Sequence, residues 1–331
     1  RRQLEADTAS MDASAADLAN SRLSLQSQLT QNYLQLRVMD QQIKLLNDTV
    51  TAYQRSLKLT ENQYNAGIVT KADVAQARTQ LKSTEAQAID LKYQRAQLEH
   101  AIAVLVGVPP AQFSLAAVDG VPKLPAVPAL LPSELLQRRP DVASAERQVI
   151  AANAKIGVAK AAWFPDLTLT AAGGYRSGSF QNWIETPNRY WSIGPQFAMT
   201  LFDGGLIASQ VEQAEASYDQ TVATYRQTVL DSFREVEDYM VQLKVLEEES
   251  GVQQEALDAS REALRLTTNQ YKAGTIDYSN VVTTQTSALS NERTLLTLTG
   301  SRLTASVQLI AALGGGWDAA KIAEEGQAKR D

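Results

Sequence analysis

The sequence predicts a mainly α-helical fold with a small β part, in which very long coiled-coil helical hairpins occur twice in tandem. Three observations carry this. Residues 1–66 and 68–106 contain neither glycine nor proline. Apolar residues recur at seven-residue intervals through the first of these stretches. The segment LKLTENQYNAG (57–67) returns as LRLTTNQYKAG at 264–274.

Glycine and proline are the main punctuation of helices. Their absence over 66 residues allows one helix of roughly 99 Å at ~1.5 Å per residue. Leu4, Met11, Leu18 and Leu25 stand seven apart. After a four-residue step the series resumes at Leu29, Leu36, Ile43, Val50, Leu57 and Tyr64, with a second stripe at Met39, Leu46 and Tyr53. This spacing predicts a coiled-coil seam with one stutter, and residues 1–106 read as a first long hairpin. By itself the seam fits a solvated two-helix coiled coil equally well.

Residues 107–132 follow as an extended linker, with six prolines in 109–132. A helical region spans 133–163: Ser133 caps a short helix that stops before Pro140, and Pro140-Asp141 opens the next, which runs to about Trp163. Residues 164–204 hold two strands. In Asp166–Tyr175, Leu167, Leu169 and Ala171 alternate with Thr168, Thr170 and Ala172. In Tyr190–Phe202, Ile193, Phe197, Met199 and Leu201 alternate with Ser192, Gln196, Ala198 and Thr200. Each strand has one apolar and one small polar face. Each is near the roughly 9–11 residues of a tilted membrane-spanning strand. Tyr175, Phe180, Trp183, Tyr190 and Trp191 cluster at the strand ends, in the manner of an interfacial girdle. A hairpin with one face buried in protein satisfies the same alternation.

Self-similarity at a fixed offset extends the picture. At the offset of 207 residues that relates Tyr64 to Tyr271, Val74 matches Val281, Thr79 matches Thr286, Glu85 matches Glu292, Arg95 matches Arg302 and Gly107 matches Gly314. Gly67 and Gly274 fall at the turns, where positive φ is cheap for glycine. Residues 205–313 are therefore a second long hairpin, and 314–331 a tail. The second copy has a helix and a strand pair ahead of its hairpin. The first copy has neither, so about 74 further residues are expected upstream of Arg1 in the parent protein.

Composition removes whole classes of function. There is no cysteine and a single histidine, His100, so thiolate chemistry and His-rich metal sites are excluded. A net charge of −6 argues against a nucleic-acid surface. Glu99 adjoins His100, but adjacent helical residues do not face one another. The glycine run 314–316 follows a helix instead of a strand, unlike a phosphate cradle. Glu247, Glu248 and Glu249 read as a solvated face. No enzyme and no cofactor are predicted.

Several stretches together resemble the TolC-type outer membrane factors, within them the NodT/OprM-like efflux branch. They are LLQRRPDVASAERQV (135–149), AKAAWFPDLTL (159–169), LFDGG (201–205), the paired QYNAG and QYKAG turns, and DVAQARTQ (73–80). The resemblance covers essentially the whole chain. It implies a homotrimer in which each protomer gives four strands to one twelve-stranded outer-membrane β-barrel, continued by a helical α-barrel across the periplasm. It implies a passive exit duct for drugs and other small molecules in a tripartite efflux pump. A periplasmic adaptor would dock at the hairpin tips, Gly67 and Ile68 with Gly274 and Thr275. An inner-membrane pump of RND type would connect through that adaptor.

Ile193, Phe197, Met199 and Leu201 would face outer-membrane lipid, and a lipid anchor on a cysteine would lie in the upstream segment. Tyr64, Lys71, Asp73, Tyr271, Asp277 and Asn280 would surround the closed entrance. Departures from the branch fall here: Asn280 stands where relatives carry a carboxylate, with Thr283 three positions on, and Ile276 stands where some carry a base. Asp73 is then the expected acceptor, with Tyr271 and Lys71 the expected donors. The two tyrosines read equally as simple packing. The alternative to a duct is a periplasmic coiled-coil adaptor or tether. Such a protein would flank one hairpin with small β domains, whereas here the hairpin is duplicated.

Overall fold

The computed structural model of the protein describes residues 1–123 and 138–317. Helix α1 spans Arg2–Asn65 and α2 Lys71–Val106. Then come α3 (Pro140–Ala161), strands β1 (Asp166–Tyr175) and β2 (Arg189–Ala198), and helices α4 (Leu206–Lys272) and α5 (Tyr278–Ala312). The two hairpins have nearly the same build: arms of 64 and 36 residues in the first, and of 67 and 35 in the second. Among the described residues no helix is long and apolar enough to cross a membrane. The predicted cap at Ser133 lies outside the described residues, as does the tail beyond Trp317.

The chain divides into two compact units that cut across the repeat. One joins Arg1–Asp17 to Asp141–Val229. Here the heptad reading needs correction. Leu4, Met11, Leu18 and Leu25 are exposed in the protomer, Leu4 by 71%. The buried stripe is Ala6, Ala9, Ala13 and Ala16. On α3, Val142, Ala145, Ala151, Ala152 and Ala154 are buried as well. Small side chains let helix axes approach closely. Arg147 of α3 reaches Asp12 of α1 at 3.9 Å, and Lys160 reaches Glu215 of α4 at 2.9 Å.

The strand pair belongs to this unit. β1 and β2 form an antiparallel two-stranded sheet in register from Asp166 opposite Ala198 to Tyr175 opposite Arg189. β2 is shorter than the alternation predicted, and Met199 and Leu201 lie beyond it. The ladder ends at Ala198 because its partner begins at Asp166. The residue before that is Pro165, which has no N–H to continue the pairing.

The second unit comprises the described residues of Leu18–Pro140 and Leu230–Ala320. Its core is a series of small clusters along the helices. Leu34 and Val38 pack with Leu303 and Val307, and Leu46 with Ala88 and Leu91. Fully burying a Leu or Val is worth about 1.5–3 kcal/mol. A buried charge cluster adds a strap. Asp40, whose side chain is 2% exposed, accepts from Arg37 at 2.9 Å and from Arg95 at 2.7 Å. Both arginines then donate onward to the linker, Arg37 to the Ala116 carbonyl and Arg95 to that of Leu115, each at 2.7 Å. Gln41 donates to Val118 O, and Glu99 accepts from the Leu115 N–H. A single turn of 3₁₀ helix at Pro110–Gln112 precedes this clamp.

Candidate functional site

Each hairpin tip is built by the same backbone device. Gly67 and Gly274 sit at φ 76° and 73°. Gly67 N–H donates to Tyr64 O and Ile68 N–H to Gln63 O, both at 2.9 Å; Gly274 donates to Tyr271 O and Thr275 to Gln270 O at 2.9 and 3.1 Å. This pair of bonds is the Schellman arrangement, which closes a helix C-terminus and turns the chain. The return helices start differently. Thr70 caps α2: its N–H and hydroxyl both donate to Asp73 Oδ2, at 2.8 and 2.7 Å, and its Oγ1 accepts from Asp73 N–H. Asp277 stands at the same place before α5 and makes no side-chain capping bond.

Between the tips lies a cluster of hydroxyls and amides. Ser56, Thr60 and Gln63 follow at four- and three-residue intervals, so they share one face of α1. Tyr271 OH donates to Gln63 Oε1 at 2.6 Å and lies 3.4 Å from Thr60 Oγ1. Tyr278 OH pairs with Ser56 Oγ at 3.1 Å. The two tyrosine rings are 5.2 Å apart and tilted by 59°, a geometry worth about 0.5–1.5 kcal/mol beyond area burial. Apolar groups seal the cluster: Ala77 and Val281 are buried in it, with Leu57, Val69 and Ile276 around them. Burial pushes the Tyr271 and Tyr278 phenols above their ordinary pKa, and Asp73 acts through space on Tyr271 in the same direction.

The predicted entrance residues are thus placed as follows. Tyr271 is 5% exposed and central. Tyr64, its repeat partner, is 43% exposed and outside the cluster. Lys71, Asp277 and Asn280 are exposed, as are Gly67, Ile68, Gly274 and Thr275. The expected bond from a tyrosine to Asp73 is corrected: Gln63 accepts from Tyr271, while the Asp73 carboxylate is engaged by Thr70. A partner three residues away orders almost nothing more to be held, so the local capping box wins. Ile276, where the resemblance led one to expect a base, packs against the cluster. Sequence reasoning missed Gln63, Ser56, Thr60 and Tyr278. The repeat hid Tyr278, because the matching residue of the first copy is Lys71; the 56/60/63 spacing was the available signal. His100 and the acidic run 247–249 are exposed.

The strand pair is the second candidate surface. Its register puts Ile193 and Phe197 on one face with Leu167, Leu169 and Ala171, and Ser192 and Gln196 on the other with Thr168, Thr170 and Ala172. Phe197 and Ile193 are exposed in the protomer, and so are Met199 and Leu201 beyond the strand end. Trp183 Nε1 donates to Tyr175 O at 3.0 Å, holding one aromatic of the connecting loop against β1. At the other end Asp203 caps α4, accepting from Gly205 N–H at 2.9 Å and Ile207 N–H at 2.7 Å. These backbone donors hold its carboxyl below the usual range.

The family model described as outer membrane efflux protein matches residues 1–108 and 131–315. The chain is similar to the solvent efflux pump outer membrane protein SrpC of Pseudomonas putida, 32% identical over 297 residues, which cover 89% of this chain and 63% of that protein. It therefore spans less than two thirds of the length of that relative. Among solved structures it is similar to a membrane protein from Pseudomonas aeruginosa, with a TM-score of 0.89 at 29% identity, covering 96% of this chain and 72% of the other. The outer-membrane channel OprN gives a TM-score of 0.88 at 31% identity with the same coverage of both chains.

Proposed function

This chain belongs to the outer membrane efflux protein family, and on that premise we propose that it forms an outer-membrane exit duct, passively conducting small molecules delivered by an inner-membrane transporter. The observation that carries this reading is the strand pair. It has a continuous apolar face, a small polar face, and one edge on each strand without a partner among the described residues. Backbone edges are not tolerated bare in hydrocarbon, so such a pair implies closure with further strands into a barrel. The apolar side then meets lipid and the Ser/Thr/Gln side a water-filled lumen. Further strands of the same protein, assembled as a homotrimer, supply the rest of the twelve-stranded barrel. The exposed heptad stripe Leu4, Met11, Leu18 and Leu25 supports the same assembly, being an apolar seam left open in the protomer.

The hairpin tips are the entrance in this reading. Tyr64, Lys71, Asp73, Tyr271, Asp277 and Asn280 line it. The exposed turns Gly67–Ile68 and Gly274–Thr275 receive a periplasmic adaptor, through which an RND-type pump connects. SrpC is named a solvent efflux protein, which supports small apolar molecules as cargo. An adaptor reading of this chain leaves the apolar strand face without a purpose. Full-length protein reconstituted into planar bilayers tests the proposal. Trimers with discrete conductance steps are expected; a detergent-soluble monomer that never conducts would refute it.

A further inference from the structure

Each hairpin carries ion pairs between its own two arms. Inside the first hairpin Arg78 meets Glu61 at 3.3 Å and Arg95 meets Asp40 at 2.7 Å. Inside the second, Arg261 meets Glu292 at 2.6 Å and Arg302 meets Glu247 at 3.6 Å. From hairpin to hairpin the chemistry changes. Gln42 donates to Thr297 at 3.4 Å, Gln80 to Thr286 at 3.3 Å and Arg293 to Gln87 at 2.9 Å. At the tip come Ser56 with Tyr278 and both Gln63 and Thr60 with Tyr271. None of these hairpin-to-hairpin contacts is an ion pair, and those at the tip are uncharged on both sides.

We propose that this tip is a neutral latch: the Tyr271–Gln63 bond, seconded by Tyr278–Ser56, holds the second hairpin to the first with a strength that pH and salt leave unchanged over the physiological range. The proposal rests on the exit-duct reading and names how its entrance is kept shut. A bond between a phenol and an amide carries no net charge for salt to screen. It has no proton to lose until the phenol ionises, and burial moves that event upward. Along the chain, the charged groups flanking the latch are the exposed Arg55 and Lys58 together with Glu61 on α1, Lys71 and Asp73 at the head of α2, Lys272 at the end of α4 and Asp277 before α5. Glu61 is committed to Arg78 and Asp73 to Thr70. Lys71, Lys272 and Asp277 are exposed at the rim. Tyr53 neighbours Tyr278 and is itself held neutral by burial.

Two measurements on the full-length protein test this. Spin labels on Ile68→Cys and Thr275→Cys, both exposed tip positions in a sequence free of cysteine, report the spacing of the hairpins. Planar-bilayer recording reports open probability. Between about pH 5.5 and 8.5, and about 0.1 and 1 M salt, the wild-type distance distribution and open probability should stay constant within about twofold. Gln63→Glu should create a pH response where none existed. A charge-assisted bond is roughly twice as strong as a neutral one, so open probability should be about tenfold below wild type at neutral pH and recover on acidification to about pH 4, through the ordinary Glu range. Tyr271→Phe should raise open probability about fivefold, equally at every pH and salt concentration, as loss of one neutral bond predicts. A wild-type distance distribution that shifts with pH or salt overturns the latch, as does a Gln63→Glu variant that stays flat. Constant distances in a protein that never conducts would leave the latch standing and overturn the duct.

Discussion

The two hairpin tips are copies of one repeat, yet they are secured in opposite ways. The first is secured locally. Thr70 and Asp73 close a capping box at the head of α2, and Tyr64 points to solvent. The second has no side-chain cap at Asp277, and its tyrosines reach across to α1 instead. Duplication preserved the glycine turn and the tyrosine before it. Around that fixed frame the four positions after the turn diverged: Thr70 became the counterpart of Asp277, Lys71 of Tyr278, and Asp73 of Asn280. One tip therefore spends its polar groups on its own helix, and the other spends them on its neighbour. Identical backbone geometry does not imply identical energetics.

Substitution at equivalent positions breaks this comparison most sharply at Tyr278 and Lys71. Tyr278→Ala should cost about 3–5 kcal/mol in the unfolding of the full-length protein, since it empties a fully buried aromatic site. Lys71→Ala, at the matching exposed position, should stay within about 0.5 kcal/mol. Urea titration followed by circular dichroism checks both, and equal losses would mean the tips are energetically alike. Glycine provides the control. Gly67→Ala and Gly274→Ala should each cost about 1–2 kcal/mol, because both turns need the left-handed conformation.

Capping comes next in size. Asp73→Ala removes the box and should cost about 0.5–2 kcal/mol, while Asn280→Ala should barely register. Installing a box at the second tip, Asp277→Thr with Asn280→Asp, should raise stability by about 1 kcal/mol without touching Tyr271. The smallest effect is alkaline. The folded pKa of Tyr271 and Tyr278 is raised, so their contribution is fully present below the ordinary phenol range and is lost as pH rises through the folded value. Thermal melts above pH ~10 should therefore fall in wild type and fall less in Tyr271→Phe.

The punctuation of the chain made most of the fold legible before any coordinates. Gly67 lies between stretches with no other breaker, Gly274 between stretches that hold one glycine each within their helices and no proline, and β1 alternates cleanly enough to be placed at its true ends. What stayed hidden was which stripe each helix buries. Leucines at seven-residue spacing outrank alanines in any reading by hydrophobicity. Alanine nevertheless wins burial in residues 6–16, where its small side chain can sit against a neighbouring helix. The paired hairpin tips were legible as a location and not as a bonding pattern. Asp73 looked like a free acceptor until Thr70, three residues before it, is seen to hold it. The strap over Asp40 was half visible, since Arg95 recurs as Arg302, but carbonyl acceptors in a linker leave no mark on side-chain sequence.

The strand pair has a consequence for how the protein comes into being. Among the described residues β1 and β2 each have one backbone edge without a partner beside an apolar face, the combination that templates stray pairing between chains. The hazard belongs to the interval between synthesis and insertion, when each polypeptide is still solitary. Stabilising the helices does nothing to shorten that interval. For the duct proposed above, yield is then governed by how quickly copies meet at the membrane, and by any escort that shields residues 166–198 on the way.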